Sequence, residues 1–130
     1  MKRNLLNSFA LVAGLVMFCG LALAHHGGAD YDREHTIALK GTITEFVWAN
    51  PHPQIFIDVK DENGKVVNWG IEALAPAILR RAGWVPTTLK PGDPMTLMVN
   101  PSKKGTPIAL LQEAVFPDGH VLKAGHLGEE

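Results

Sequence analysis

From Ile37 onward, apolar and polar residues alternate in short runs, the two-residue period of strands with one buried face. Ile37, Leu39 and Ile43 share one face of the first run, opposite Thr36, Lys40, Thr42 and Thr44, and the run ends in Phe46-Val47-Trp48. Two further runs follow. Gln54 to Lys60 places Ile55, Ile57 and Val59 on one face, and Lys65 to Glu72 does the same with Val67, Trp69 and Ile71. Asp61-Glu62-Asn63-Gly64 between them reads as a hairpin turn, since Asn-Gly tolerates the positive φ of a tight reversal. The alternation breaks at Ala73 to Ala82, a stretch rich in alanine and leucine with Pro76 where a first helical turn accepts proline and Gly83 as its stop. Lys90-Pro91-Gly92-Asp93 is a turn, after which Met95, Leu97 and Val99 alternate again in a fourth strand. Asn100 to Gly105 turns into a fifth strand, Ile108 to Phe116. Pro117-Asp118-Gly119 then allows a short sixth piece at His120 to Lys123.

Three strands, one short helix between the third and fourth, and two or three more strands predict a mainly β chain folded as a small OB-fold-like barrel of five to six strands. An immunoglobulin-like sandwich is the main competitor. It would want about seven strands and no central helix.

The segment before the alternation has a different character. Lys2 and Arg3 precede the apolar stretch Leu11 to Leu23, and Ala22-Leu23-Ala24 offers small residues at both positions that a signal peptidase accommodates. Residues 1–24 are therefore expected to be a cleavable signal peptide, with a periplasmic or secreted product. Gly14 and Gly20 interrupt the apolar stretch, which falls short of the ~20 residues of a spanning helix, so no membrane span is expected after processing. A lipid-modified Cys19 is disfavoured because bulky Phe18 precedes it. Residues 25–34 are polar and aperiodic, and read as a flexible arm leading into a barrel domain over 35–124. Residues 125–130 form a polar tail.

Processing changes what the composition means. Of 130 residues 106 would remain, enough for one domain and not for two. The single cysteine leaves with the signal, so neither disulfides nor thiolate ligands are available to the mature chain. The whole chain carries 12 Lys and Arg against 13 Asp and Glu, a formal charge of -1, and loss of Lys2 and Arg3 makes it -3. That balance argues against a nucleic-acid partner, which calls for basic surface.

Reactive side chains are scarce. Ser102 is the one serine beyond residue 24 and sits in the turn Asn100-Pro101-Ser102-Lys103-Lys104 without a Gly-x-Ser-x-Gly elbow. There is no glycine-rich phosphate loop, no His-Glu-x-x-His helix and no Cys-x-x-Cys-His. Nothing in this inventory specifies an enzyme.

Histidine is what remains: His25, His26, His35, His52, His120 and His126. Cleavage after Ala24 would give His25 both a free α-amine and an imidazole, a pair that chelates one ion. The amine's reference pKa of about 7.7 to 8.0 lets a metal displace its proton at modest cost. A second imidazole would complete a nitrogen-rich set that suits Cu(II) better than Mg or Ca. His52 is the leading candidate, because Asn50-Pro51-His52-Pro53 lies in the loop between strands one and two, through which OB-folds bind ligands. A purely local role for His52 in shaping the turn stands beside that reading. His26 and His35 are weaker candidates. His120 and His126 receive no role. Trp69 is expected in the core, whereas Trp48 could wall the loop, and Arg80 and Arg81 form a solvated helix face. Met95 and Met98 have opposite parity and cannot pair as thioether ligands.

His25-His26, Gly41, Trp48-x-Asn50-Pro51-His52, Trp69, Gly83-Trp84, Leu89-Lys90-Pro91-Gly92-Asp93 and Asn100-Pro101 together resemble a family of small exported bacterial proteins, domain of unknown function 6152. The likeness extends over nearly all of the chain beyond the signal. Gly27 stands where the family has serine. The resemblance implies export and a shared fold, and carries no chemistry. Two function classes stay open: a metal-binding protein, for copper, using His25 and His52 with His26 and His35 as helpers; and a metal-free OB-like module for a peptide, glycan or envelope protein.

Overall fold

The first three strands build a meander. In the computed structural model, which describes residues 28–124, they are β1 (Ile37–Val47), β2 (Gln54–Lys60) and β3 (Val66–Glu72). Helix α1 (Pro76–Arg81) follows, then β4 (Pro94–Pro101), β5 (Ile108–Val115) and β6 (Val121–Lys123). β1 pairs antiparallel with both β2 and β4, and β5 pairs antiparallel with β4. A short parallel contact, Gly70↔Ile108 to Glu72↔Leu110, joins β3 to β5 and closes a five-stranded barrel. β6 adds to the outer part of β5. This connectivity, with the helix between β3 and β4, is that of the OB-fold.

Two β-bulges shape the barrel. Register slips between Ile43 and Glu45 in β1, so the inward positions switch from Ile43 to Phe46. A second slip, where Val99 faces Leu111 and Met98 faces Glu113, switches β5 from Leu111 to Ala114. Strict alternation would have put Phe46 and Ala114 outside. At Gly41, a Cβ would lie 2.0 Å from the Asp58 carbonyl oxygen, so β1 crosses β2 too closely for any side chain.

Ile55, Ile57, Ile71, Leu97, Val99 and Leu111 fill the interior and are fully buried. Trp84 joins them, its Nε1 donating to the Lys123 carbonyl at 2.9 Å. Trp69 does face inward as expected, yet it stays half-buried at the rim of the core. α1 is shorter than the alanine-rich stretch implied. Pro76 at its first turn forces Ala75 into an extended conformation, and the Ala73 amide is already bonded to Pro53. It ends in a Schellman arrangement: Gly83 at φ 92° turns the chain so that the Trp84 amide reaches the Leu79 carbonyl and the Gly83 amide that of Arg80. That turn delivers Trp84 into the core.

The hairpin at residues 61–65 forms at the expected Asn-Gly, with the positive φ taken by Gly64 at 78°. No non-glycine residue among those described has positive φ, so Asn63 is not in the left-handed region. The Asp61 carboxylate adds to the turn by accepting the amides of Asn63 and Lys65.

Closure has one consequence for function. Val47 faces Gln54, Gln54 faces Glu72, Glu72 faces Leu110, and Leu110 faces Asn100. The buried Asn100 side chain then donates to the His35 carbonyl at 2.8 Å and to Thr36 Oγ1 at 3.3 Å. One circuit of the tilted barrel therefore returns to β1 at its opposite end. The residues just before β1 and the loop just after it become neighbours.

Candidate functional site

Of the segment expected as a flexible arm, residues 25–34, the described part from Gly28 onward lies against the barrel. Gly28–Asp30 make one 3-10 turn, and Tyr31 bridges to Ser102 beyond β4. The Asp32 amide donates to Pro101, the Lys103 amide to the Asp30 carbonyl, and Lys103 Nζ to the Ala29 carbonyl. A run of polar residues gives no periodic signal of such docking, because the backbone makes most of the bonds. Tyr31 is the exception, with a side chain buried to 8% exposure.

Its hydroxyl donates to Glu72 Oε2 at 3.0 Å. Burial, the Glu72 charge and this bond, in that order, push the phenol up from 10.0 to about 12. Tyr31 therefore stays a neutral donor, and one Glu72 oxygen is committed to it. The other, Oε1, lies 3.8 Å from Nε2 of His52.

His52 is oriented by the loop around it. The Asn50–Pro51 peptide is cis, and Pro53 is fully buried with its carbonyl accepting the Ala73 amide at 2.9 Å. His52 Nδ1 sits 3.1 Å from the Ala73 carbonyl. A carbonyl can only accept, so Nδ1 carries the proton. In the neutral ring the Nε2 lone pair is then turned toward Glu72. Donation of one ring N–H to the backbone carbonyl fixes the orientation of the ring and leaves Nε2 as the atom that faces Glu72.

Among the described residues, no three His, Cys, Asp or Glu side chains converge on one point. His52 and Glu72 thus face each other as a pair, with no third such side chain beside them among the described residues. His25 and His26, the candidates expected to supply more, lie outside the described residues, as does His126. His35 is engaged locally: its Nδ1 is 2.8 Å from Asp32 Oδ2, a bond that lowers the Asp32 carboxyl below its usual range, and the ring is mostly exposed. His120 stacks on Phe116 and bonds to Asp118, which accounts for it within its own turn. Trp48 meets the edge of Phe46 at 5.8 Å, and the Arg80 guanidinium lies 5.6 Å from its ring centre. Arg80 is thus more than a solvated face.

Tyr31 and Glu72 went unsingled in the sequence, although Tyr31 is the one tyrosine of the chain and stands in an otherwise polar stretch. That isolation was the available signal.

The model of a family of unknown function, DUF6152, matches residues 13–111. The chain belongs to DUF6152. No curated protein matches it. Among solved structures, the mitochondrial single-stranded DNA binding protein Rim1 of S. cerevisiae is similar over 74% of this chain and 99% of its own, at 12% identity and a TM-score of 0.47. Membership in DUF6152 assigns no activity. Among the described residues, no helix is long and apolar enough to cross a membrane.

Proposed function

We propose that the exported chain, processed after Ala24, binds a transition metal ion, Cu(II), at the end of the barrel where the pre-β1 strap meets the β1–β2 loop. His52 Nε2 and Glu72 Oε1 are the barrel's share of the ligands, and the amine and imidazole of His25 the remainder. His26 is an alternative imidazole within the same few residues. The observation that carries the reading is the His52 ring: its Nδ1–H is given to Ala73, leaving Nε2 directed at a carboxylate oxygen 3.8 Å away.

That separation is within what one ion allows. Ligands at ~2.1 Å are ~3 Å apart at right angles and ~4 Å apart when opposed. Chain length also supports it. His25 is six residues before Tyr31; Gly28–Asp30 make a 3-10 turn at ~2 Å each, and the steps from His25 to Gly28 can span at most ~3.5 Å each. The start of the mature chain can therefore return to the carboxylate that Tyr31 touches. Nitrogen ligands with one carboxylate favour Cu(II) over Mg or Ca, and the role is binding or delivery of the ion.

Calorimetric titration of Cu(II) into processed protein tests this. His52→Ala, Glu72→Gln and a form with one extra residue before His25 should each weaken binding about tenfold or more, in line with loss of a ligand or its support. Affinity at the level of a surface histidine, or affinity indifferent to all three changes, would reject the metal site in favour of a metal-free module.

A further inference from the structure

Leu39 and Ile43 of β1 and Met95 and Leu97 of β4 are buried, so the residues that alternate with them, Lys40, Thr42, Pro94 and Thr96, stand on the outer face of the barrel. Lys40 faces Thr96, and Thr96 faces Val115, which makes a row of three side chains across β1, β4 and β5. Thr42 and Pro94, opposite each other, make the next row. Phe116 follows Val115 and is held in place: its amide donates to the His120 carbonyl at 3.0 Å, and its ring stacks on the His120 imidazole with 4.0 Å between centres. Together these six residues line a cleft of about 520 Å³. That is the size of a small-molecule site.

The polar atoms of the cleft are unengaged. Among the described residues, neither the Lys40 ammonium nor the Thr42 and Thr96 hydroxyls have a hydrogen-bond or ion-pair partner. No acidic side chain among them lines the cleft, and the acids around it are already committed. Asp58, opposite Thr42, accepts the Asn68 side-chain amide at 2.8 Å; Asp93, beside Pro94, accepts the Lys90 amide at 2.8 Å; Asp118, in the turn after Phe116, accepts the His120 amide at 3.0 Å. Glu113 stands one row further along the face, opposite Lys123. One positive charge flanked by two hydroxyls, beside walls of proline, valine and phenylalanine, matches a ligand with a single negative group and an apolar body.

We propose that this cleft binds a small organic monocarboxylate. Its oxygens are held by Lys40, Thr42 and Thr96, and its apolar body lies across β4 and β5 against Pro94, Val115 and Phe116. Neighbouring strands are ~4.8 Å apart, so Val115 is about 10 Å from Lys40 across the row, which sets the length of the body. A dianion such as a phosphate monoester would bring a second charge for which the cleft has no partner. None of these residues belongs to the metal site proposed above, so the two readings stand or fall separately.

Titration of sodium octanoate into the purified protein, followed by heteronuclear NMR, tests this, with octanol and octyl phosphate as comparison probes. Octanoate should bind saturably and move the amide signals of residues 40–42, 95–96 and 115–116. Lys40→Met keeps the aliphatic stem and removes the charge. It should weaken octanoate about fivefold, as loss of one exposed ion pair implies, and leave octanol unchanged. Thr96→Glu places a carboxylate directly across from Lys40, where it should take the ammonium for itself and abolish octanoate binding. Both substitutions are at exposed or half-exposed positions, so thermal melting should match wild type and separate lost binding from lost folding. Shifts centred elsewhere, octanoate binding indifferent to the two substitutions, or equal effects of Lys40→Met on octanoate and octanol would overturn the site. Octyl phosphate held more tightly than octanoate would overturn the choice of a monocarboxylate.

Discussion

Tyr31 is the one tyrosine of the chain, so the ultraviolet absorbance of phenolate reports its ionisation alone. In the folded, metal-free protein it should titrate near 12 in place of 10.0. Burial is the largest cause, followed by the Glu72 charge and hydrogen bond. Glu72→Gln removes the charge but leaves an oxygen that can accept the hydroxyl, so its midpoint should fall only part of the way. The sign of the stability effect follows from the neutral form being favoured in the fold. The contribution is fully present below the unfolded pKa of 10 and is lost as pH rises through about 12. At ~1.4 kcal/mol per pH unit the shift would be worth at most about 3 kcal/mol. The hydroxyl lies at the barrel mouth beside a half-exposed carboxylate, and screening there reduces the expected value to about 1 kcal/mol. The assay is denaturant unfolding of wild type and Tyr31→Phe from pH 9 to 12, the difference cancelling the lysines common to both. A midpoint near 10, or two proteins whose stabilities run parallel through that window, would mean that the strap is not docked as described.

Gly41→Ala should destabilise by about 2 to 3 kcal/mol or more, because its Cβ meets the Asp58 carbonyl and neither backbone can yield cheaply. Gly70→Ala is the control, on β3: its Cβ would meet Phe56 and Ile108 at 3.6 to 3.9 Å, ordinary contact, and thermal melting should show little change. Trp84→Ala should cost about 3 to 5 kcal/mol by chemical denaturation, removing the largest fully buried side chain and the donor to Lys123; equal stability would contradict the core described. His52→Ala should cost no more than about 1 kcal/mol, since its ring is half-exposed and makes one bond to Ala73, which separates any loss of Cu(II) binding from unfolding.

Strand positions were legible in the sequence because alternation is a local signal: β2 spans the segment the pattern marked, Gln54 to Lys60, and β5 and β6 begin or end within a residue or two of it. The helix between β3 and β4, and with it the OB-like order, followed from Pro76 and Gly83. His52 was also visible, framed by two prolines in a loop. What alternation could not reveal was where register breaks. The bulges after Ile43 and beside Leu111 turn Phe46 and Ala114 inward, and a bulge is set by how a strand must bend to close the barrel, not by its own residues. Trp69 and Trp84 illustrate the same limit, since each follows a strand or turn residue, Asn68 or Gly83, that says nothing of its burial. Tertiary closure buries Trp84 and leaves Trp69 at the rim.

The cluster of Tyr31, Glu72 and His52 belongs wholly to the tertiary structure. Tyr31, His52 and Glu72 lie far apart along the chain and share no motif. They meet because the barrel's shear brings the segment before β1 round to the loop after it, with the end of β3 between them. Local chemistry determined that His52 would sit in a constrained loop; the closure of the sheet decided that a carboxylate held by a tyrosine would face it.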